Sequence, residues 1–260
     1  MLKKRLIFTL LIQGKKIVLS RNFTLQTVGN IEWVIENFNI DSLFNCIDEL
    51  VIINTNRSEC DFEEFCEQIA NFSRNCFMPI SAGGGIVSEQ HANQILNSGA
   101  DKIIINTILF NNPQLVIQLV KKYGSQCIVA SIDYKLVNNI RMVFTNNGTI
   151  NTGLDLLQAV NKIKSLGVGE LYITSIDRDG TGLGYDIEGL KSIFNVSNVP
   201  IIASGGIGKI EQFSEAILSC NVDGVSTANL FNFVGDALSD ARNHLFEMGI
   251  EIAEWEKVHV

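Results

Sequence analysis

The chain has 260 residues, 46% hydrophobic and 18% charged, enough to bury a sizeable core in one large domain or two small ones. Its 28 acidic against 20 basic residues give a formal net charge of −8, which argues against a nucleic-acid-binding surface, since that needs clustered Lys and Arg. No apolar run approaches the roughly 18 residues of a membrane span, and the six cysteines are scattered with no C-x-x-C pair, as expected of reduced core cysteines in a cytoplasmic protein.

The opening MLKKRLIFTLLIQGKK imitates a secretion signal, with a basic start and an apolar stretch. That stretch is short, and two more lysines follow where a small-residue cleavage site would stand. It reads instead as a buried strand over 6–12. Further short β-rich runs follow at 49–54, 79–83, 101–106, 126–133, 170–176, 200–205 and 223–228. Amphipathic stretches separate most of them, among them 60–75, 88–99 and 154–167, with Gly99 and Gly167 where helix C-caps are expected. Eight buried parallel-type strands alternating with helices predict a single (β/α)8 barrel over residues 1–260. A doubly wound open sheet is the competing arrangement, and the even spacing favours closure.

An internal repeat points the same way. Residues 79–110 align with 200–231 at an offset of 121, with identities at Pro79, Ile80, Ala82, Gly84, Gly85, Ile86, Ser98, Leu109 and Phe110. The same offset pairs ELVI (49–52) with ELYI (170–173). Two (β/α)4 halves, about 1–123 and 124–250, are expected.

Each half ends a strand in a glycine cluster, AGGGI (82–86) and ASGGI (203–207). Glycine lets the backbone approach an anion and leaves N–H groups free for phosphate oxygens, and a helix N-terminus after each loop would add a favourable dipole. The next strand in each half ends in small polar residues, Asn106-Thr107 and Thr227-Ala228-Asn229. Two such places suggest a ligand with a phosphate at each end; tight strand-to-helix turns are the structural alternative. TSIDRDGTGLGYD (174–186) reads as a loop over the mouth of the barrel, with Asp177, Arg178 and Asp179 either ligand contacts or a solvated charge cluster. Asp133 ends the fifth strand after an apolar run, and a carboxylate there is costly to bury unless bonded or functional. It is the best general acid/base candidate, against a role as a structural cap. The three histidines lie far apart with no ligand or triad pattern, so no metal, cofactor or histidine-based mechanism is expected.

At AGGGI, DKIIINT, SID, NTG (151–153), TSIDRDGTGLGYD and PIIASGGIGK the sequence resembles the cyclase subunit of imidazole glycerol phosphate synthase. The resemblance covers nearly the whole chain. It implies a (β/α)8 barrel that binds a bis-phosphorylated ribonucleotide and receives ammonia through the barrel from a class I glutaminase docked at the N-terminal face. The family's acid/base work falls to aspartates on strands 1 and 5. By position the resemblance assigns Asp133 to the catalytic role, and Arg5, Glu49, Lys102 and Glu170 to the charged ring at the ammonia entrance. Asp101 falls at the glutaminase interface. Phosphate contacts carry over to Gly85, Asn106, Thr107, Gly180, Gly206 and Ala228, with Asn229 where the family has serine. Asp179 and Ser204 join that set from the loops they occupy.

The first strand departs from the family. Its TLLIQGKKIVLS (9–20) has Leu11 where the family places its other catalytic aspartate, Leu19 for a loop lysine, and Asn54 for a strand-2 aspartate. Leucine can neither donate nor accept a proton. The expected reading is therefore a divergent paralogue of the surface-polysaccharide (acetamidino sugar) type. It would conduct ammonia to a phosphorylated or sugar-linked acceptor, with altered or absent cyclase activity. An ordinary cyclase of histidine biosynthesis and a silent scaffold that activates the glutaminase are the alternatives.

Overall fold

A computed structural model describes residues 3–32, 46–56, 62–75, 77–229 and 237–253. The β-branched runs that make the barrel form strands buried along nearly their whole length, as expected where both faces are covered, while the hairpin strands are largely half-buried or exposed. In chain order they are β1 (Arg5–Gln13), β2 (Lys16–Arg21), β3 (Thr24–Asn30), β4 (Glu49–Asn54), β5 (Ile80–Gly83) and β6 (Lys102–Ile105). Then come β7 (Ile128–Val137), β8 (Ile140–Thr145), β9 (Ile150–Asp155), β10 (Glu170–Ser175), β11 (Ile201–Ser204) and β12 (Gly224–Thr227). Eight of them, β1, β4, β5, β6, β7, β10, β11 and β12, pair in parallel round a ring that β7 and β10 close. The fold is a closed (β/α)8 barrel. The open-sheet alternative is excluded by that last pairing, Glu170 opposite Val129 through Ser175 opposite Tyr134.

All eight predicted strands are present, most of them shorter by a residue or two. Two antiparallel hairpins were not foreseen. β2–β3 extends β1, and β8–β9 extends β7, which runs to Val137 instead of ending at Asp133. Their turns are asparagine-rich, with Asn22, Phe23, Asn138, Asn139, Asn146 and Asn147 all at positive φ. Asn138-Asn139 between two alternating runs is the available hairpin signal.

Helices connect the barrel strands: α1 (Phe62–Asn75), α2 (Glu89–Asn97), α3 (Ile108–Asn111), α4 (Pro113–Tyr123), α5 (Leu156–Lys164), α6 (Ile187–Phe194), α7 (Glu211–Cys220) and α8 (Ala237–Glu247). Local chemistry sets their starts. Ser88 caps α2, Asn112 precedes Pro113 at α4, and Asp155 with Gln158 forms a capping box on α5. Gly99 follows α2 at φ +104, as its expected stop position requires. The predicted helix over 60–75 is described from Phe62 onward. None of the described helices is long and apolar enough to cross a membrane.

The core has two parts. The larger lies between strands and helices, and a small inner one fills the barrel with Ile7, Val51, Ile104, Val129, Tyr172 and Ile202. At the lower rim three aspartates repeat one device. Asp48, Asp101 and Asp223 each precede a strand and accept the backbone N–H of the preceding barrel strand, from Leu6, Ile80 and Ile201.

Candidate active site

Side chains that point into the barrel alternate along each strand, so the two ends of β1, β4, β6 and β10 present different chemistry. At the N-terminal ends Arg5, Glu49, Lys102 and Glu170 form a ring. Arg5 donates to Glu49 at 2.7 Å and to Glu170; Lys102 Nζ lies 3.1 Å from each of the two glutamates. Ser81 donates to Glu49 as well. Burial disfavours the charge on Arg5, but its bonds with Glu170 and Glu49 outweigh that and push its pKa up. Two cations and two anions, each touching both partners of opposite sign, make the ring self-neutralising. Asp101 stands beside it, its carboxylate taken up by Ile80 N–H at 2.8 Å.

The C-terminal ends open into two joined cavities of about 330 and 530 Å³. Of the predicted contacts, the smaller holds Gly85, Asn106, Thr107 and Asp133, and the larger holds Gly180, Gly206 and Asn229. Asp179, Ser204 and Ala228 line both. Gly85 sits at φ +77 with open space where a Cβ would point, so both its conformation and its exposed N–H suit an anion. The helices contribute less than the sequence suggested. α2 starts at Glu89 and α7 at Glu211, and neither first turn lines a cavity, whereas the glycine loops before them do.

Asp133 is half-buried at the floor of the smaller cavity. Asn106 donates to its Oδ2 at 3.0 Å and Ser131 to its Oδ1 at 3.4 Å. The other hydrogen of the Asn106 amide goes to the Ser131 carbonyl, so this residue orients the carboxylate. Burial is the main cause that raises the Asp133 pKa to about 7, with the Asp179 charge adding and the Ser131 and Thr174 bonds opposing. A carboxyl poised there both takes and gives a proton near neutrality.

Opposite Asp133 stands Leu11. β1 and β7 lie four strands apart in either direction round the barrel, and both residues line the smaller cavity. Asn54 and Leu19 are also at the mouth, Asn54 in the smaller cavity and Leu19 in the larger.

The unforeseen β2–β3 hairpin lies across this mouth. Asp179 Oδ2 accepts from Ser20 Oγ at 2.5 Å and from Phe23 N at 3.1 Å, while the Asn22 amide donates to the carbonyls of Ile176 and Asp177. Burial pushes the Asp179 pKa up against those two bonds. Gly180 packs so closely under the hairpin that a Cβ would lie 2.2 Å from the Ser20 carbonyl oxygen. The neighbouring charges of the 174–186 loop are structural. Asp177 accepts from Leu136 N at 2.7 Å, and Arg178 donates to the Leu183 carbonyl.

The sequence profile of the histidine biosynthesis protein family matches residues 15–235. The chain belongs to that family. Within it, the imidazole glycerol phosphate synthase subunit HisF group is represented by relatives that align along most of the chain. A putative imidazole glycerol phosphate synthase subunit hisF2 from Parasynechococcus marenigrum is 37% identical over 256 residues, 98% of this chain and 95% of its own. The HisF subunit of Natranaerobius thermophilus is 38% identical over 205 residues, covering 79% of this chain and 82% of its own. That of Chlorobium phaeobacteroides is 34% identical over 253 residues, covering 97% and 99%. This HisF-family chain thus carries the family's barrel with a leucine at the mouth of its first strand.

Proposed function

We propose that this chain is the ammonia-accepting synthase subunit of a glutamine amidotransferase of the imidazole glycerol phosphate synthase type. A HisH-like class I glutaminase would dock over the Arg5–Glu49–Lys102–Glu170 ring. Ammonia would travel up the barrel to a small ligand phosphorylated at both ends, held by the Gly85 and Gly180–Gly206 loops, with Asp133 moving protons. The observation that carries this is the division of the barrel into a self-paired charged ring at one end and, at the other, two glycine-lined cavities with Asp133 in the smaller. The names of the relatives support cyclase chemistry in histidine biosynthesis ahead of amidination of a surface polysaccharide. A cytoplasmic setting fits Cys127 and Cys220, which form no disulfide among the described residues.

Leu11 favours a second reading, a paralogue whose cyclase activity is altered or lost. One experiment separates the two. Turnover of the bis-phosphorylated ribonucleotide is measured with ammonium salt for wild type, Asp133→Asn and Leu11→Asp, alongside co-purification with the cognate glutaminase. Wild-type turnover that disappears in Asp133→Asn supports the cyclase. A stable complex without turnover, restored little by Leu11→Asp because Leu19 and Gln13 also depart from the family, supports the paralogue. A barrel that stays alone at micromolar concentration and leaves glutaminase activity unchanged sinks both.

A further inference from the structure

Between the charged ring and the mouth, one aromatic side chain fills the barrel interior. Tyr172 on β10 belongs to the inner apolar cluster with Ile7, Val51, Ile104, Val129 and Ile202, and it also lines the smaller cavity above. Its hydroxyl meets three others there. Thr9 Oγ1 lies 2.8 Å away, Ser204 Oγ 2.9 Å and Ser226 Oγ 3.0 Å, and Thr9 and Ser226 are themselves 2.8 Å apart. Four hydroxyls carry four hydrogens, and the cluster makes four hydrogen bonds. Every donor is therefore in use within it.

Ser204 is the exposed edge of this cluster. Thr9, Tyr172 and Ser226 are buried, whereas Ser204 is half-buried, lines both cavities and donates its hydrogen to Tyr172. An anion seated against the Gly205–Gly206 loop competes for that hydrogen, because a charged oxygen is a stronger acceptor than a phenol. Taking it leaves Tyr172 with one holding bond fewer.

We propose that Tyr172 is a positioning residue that plugs the axial passage, and that an anion drawing the Ser204 hydroxyl loosens the plug. The passage, and what it carries, rest on the function proposed above; the coupling between anion and tyrosine does not need them. Such coupling is reciprocal. If the anion weakens the Ser204–Tyr172 bond, removing the Tyr172 hydroxyl must strengthen anion binding.

The probe is inorganic phosphate, with affinity measured by calorimetry for wild type, Tyr172→Phe, Ser204→Ala and the double variant. Tyr172→Phe is expected to bind phosphate about 2- to 10-fold more tightly, the range of one neutral hydrogen bond. Ser204→Ala should bind more weakly, and Tyr172→Phe should add nothing in the Ser204→Ala background. A crystal structure of the wild type with phosphate bound should show Ser204 turned to the anion and the Tyr172 ring moved from the barrel axis. Should Tyr172→Phe fail to fold, that structure decides. Equal affinities for wild type and Tyr172→Phe, independent effects in the double variant, or phosphate bound with the Ser204–Tyr172 bond intact would overturn the coupling alone. A wild type that binds no phosphate overturns the phosphorylated-ligand reading of the mouth together with the coupling.

Discussion

The two ends of this barrel treat buried carboxylates in opposite ways. At the lower ring Glu49 and Glu170 each touch both Arg5 and Lys102, so the charges cancel within a single hydrogen-bonded set. At the mouth the donors that hold Asp133 and Asp179 among the described residues are neutral, Asn106, Ser131 and Thr174 for one, Ser20 and the Phe23 amide for the other. Burial then raises both pKa values, that of Asp133 to about 7. A carboxylate paired with cations is a structural part; Asp133, held by neutral donors, is ready to exchange a proton.

The largest expected effect lies at the mouth. Asp133→Asn should lower synthase turnover by about 10²- to 10⁴-fold, and the wild-type pH profile should bend near 7. A bend near 4, where an ordinary aspartate titrates, would show that burial does not raise the Asp133 pKa. The lower ring comes next. Arg5→Ala leaves two buried glutamates facing Lys102 alone, and removing one member of a buried ion-pair set typically costs about 3–5 kcal/mol, readable by denaturant unfolding. A loss under about 1 kcal/mol would mean that water screens the ring.

The same contrast can be read in stability against pH. The folded Asp133 holds its proton more tightly than the unfolded chain does, so it contributes stability below about pH 4 that is lost as pH rises through about 7. Asp133→Asn should therefore be more stable than wild type at pH 8, by on the order of 2–4 kcal/mol, with the gain shrinking towards pH 4. A difference that stays constant between those pH values would break the comparison.

Two smaller effects sharpen it. A phosphorylated ligand at about 100-fold over its Kd should stabilise the wild type by roughly 2.7 kcal/mol, seen as a rise in melting temperature. No shift with any phosphorylated ligand would count against both glycine loops. Ser20→Ala removes a hydrogen bond to a buried carboxylate and should cost about 1.5 kcal/mol, with faster amide exchange in β2 and β3. Unchanged exchange would show that Asn22 and the Phe23 amide hold the hairpin in place without Ser20.

Much of this was legible in the sequence because it is local. Uninterrupted runs such as LVII and IVAS become strands covered on both faces, glycine clusters end them, and Leu11 departs from the family at a position that needs no structure to see. Even the missed hairpins left a local trace in Asn22, Asn138-Asn139 and Asn146-Asn147, since asparagine tolerates positive φ. Tertiary structure alone decided the rest, because it depends on which distant groups meet and how much water remains between them. The resemblance grouped Glu170 with Arg5, 165 residues away, but which cation bonds which carboxylate is set by the closed barrel. An amphipathic strand residue such as Tyr172 gives no sign that three hydroxyls converge on it. The chain marks Asp133 as the acid/base candidate, but its raised pKa arises only because the closed barrel strips its water and provides no cation in return.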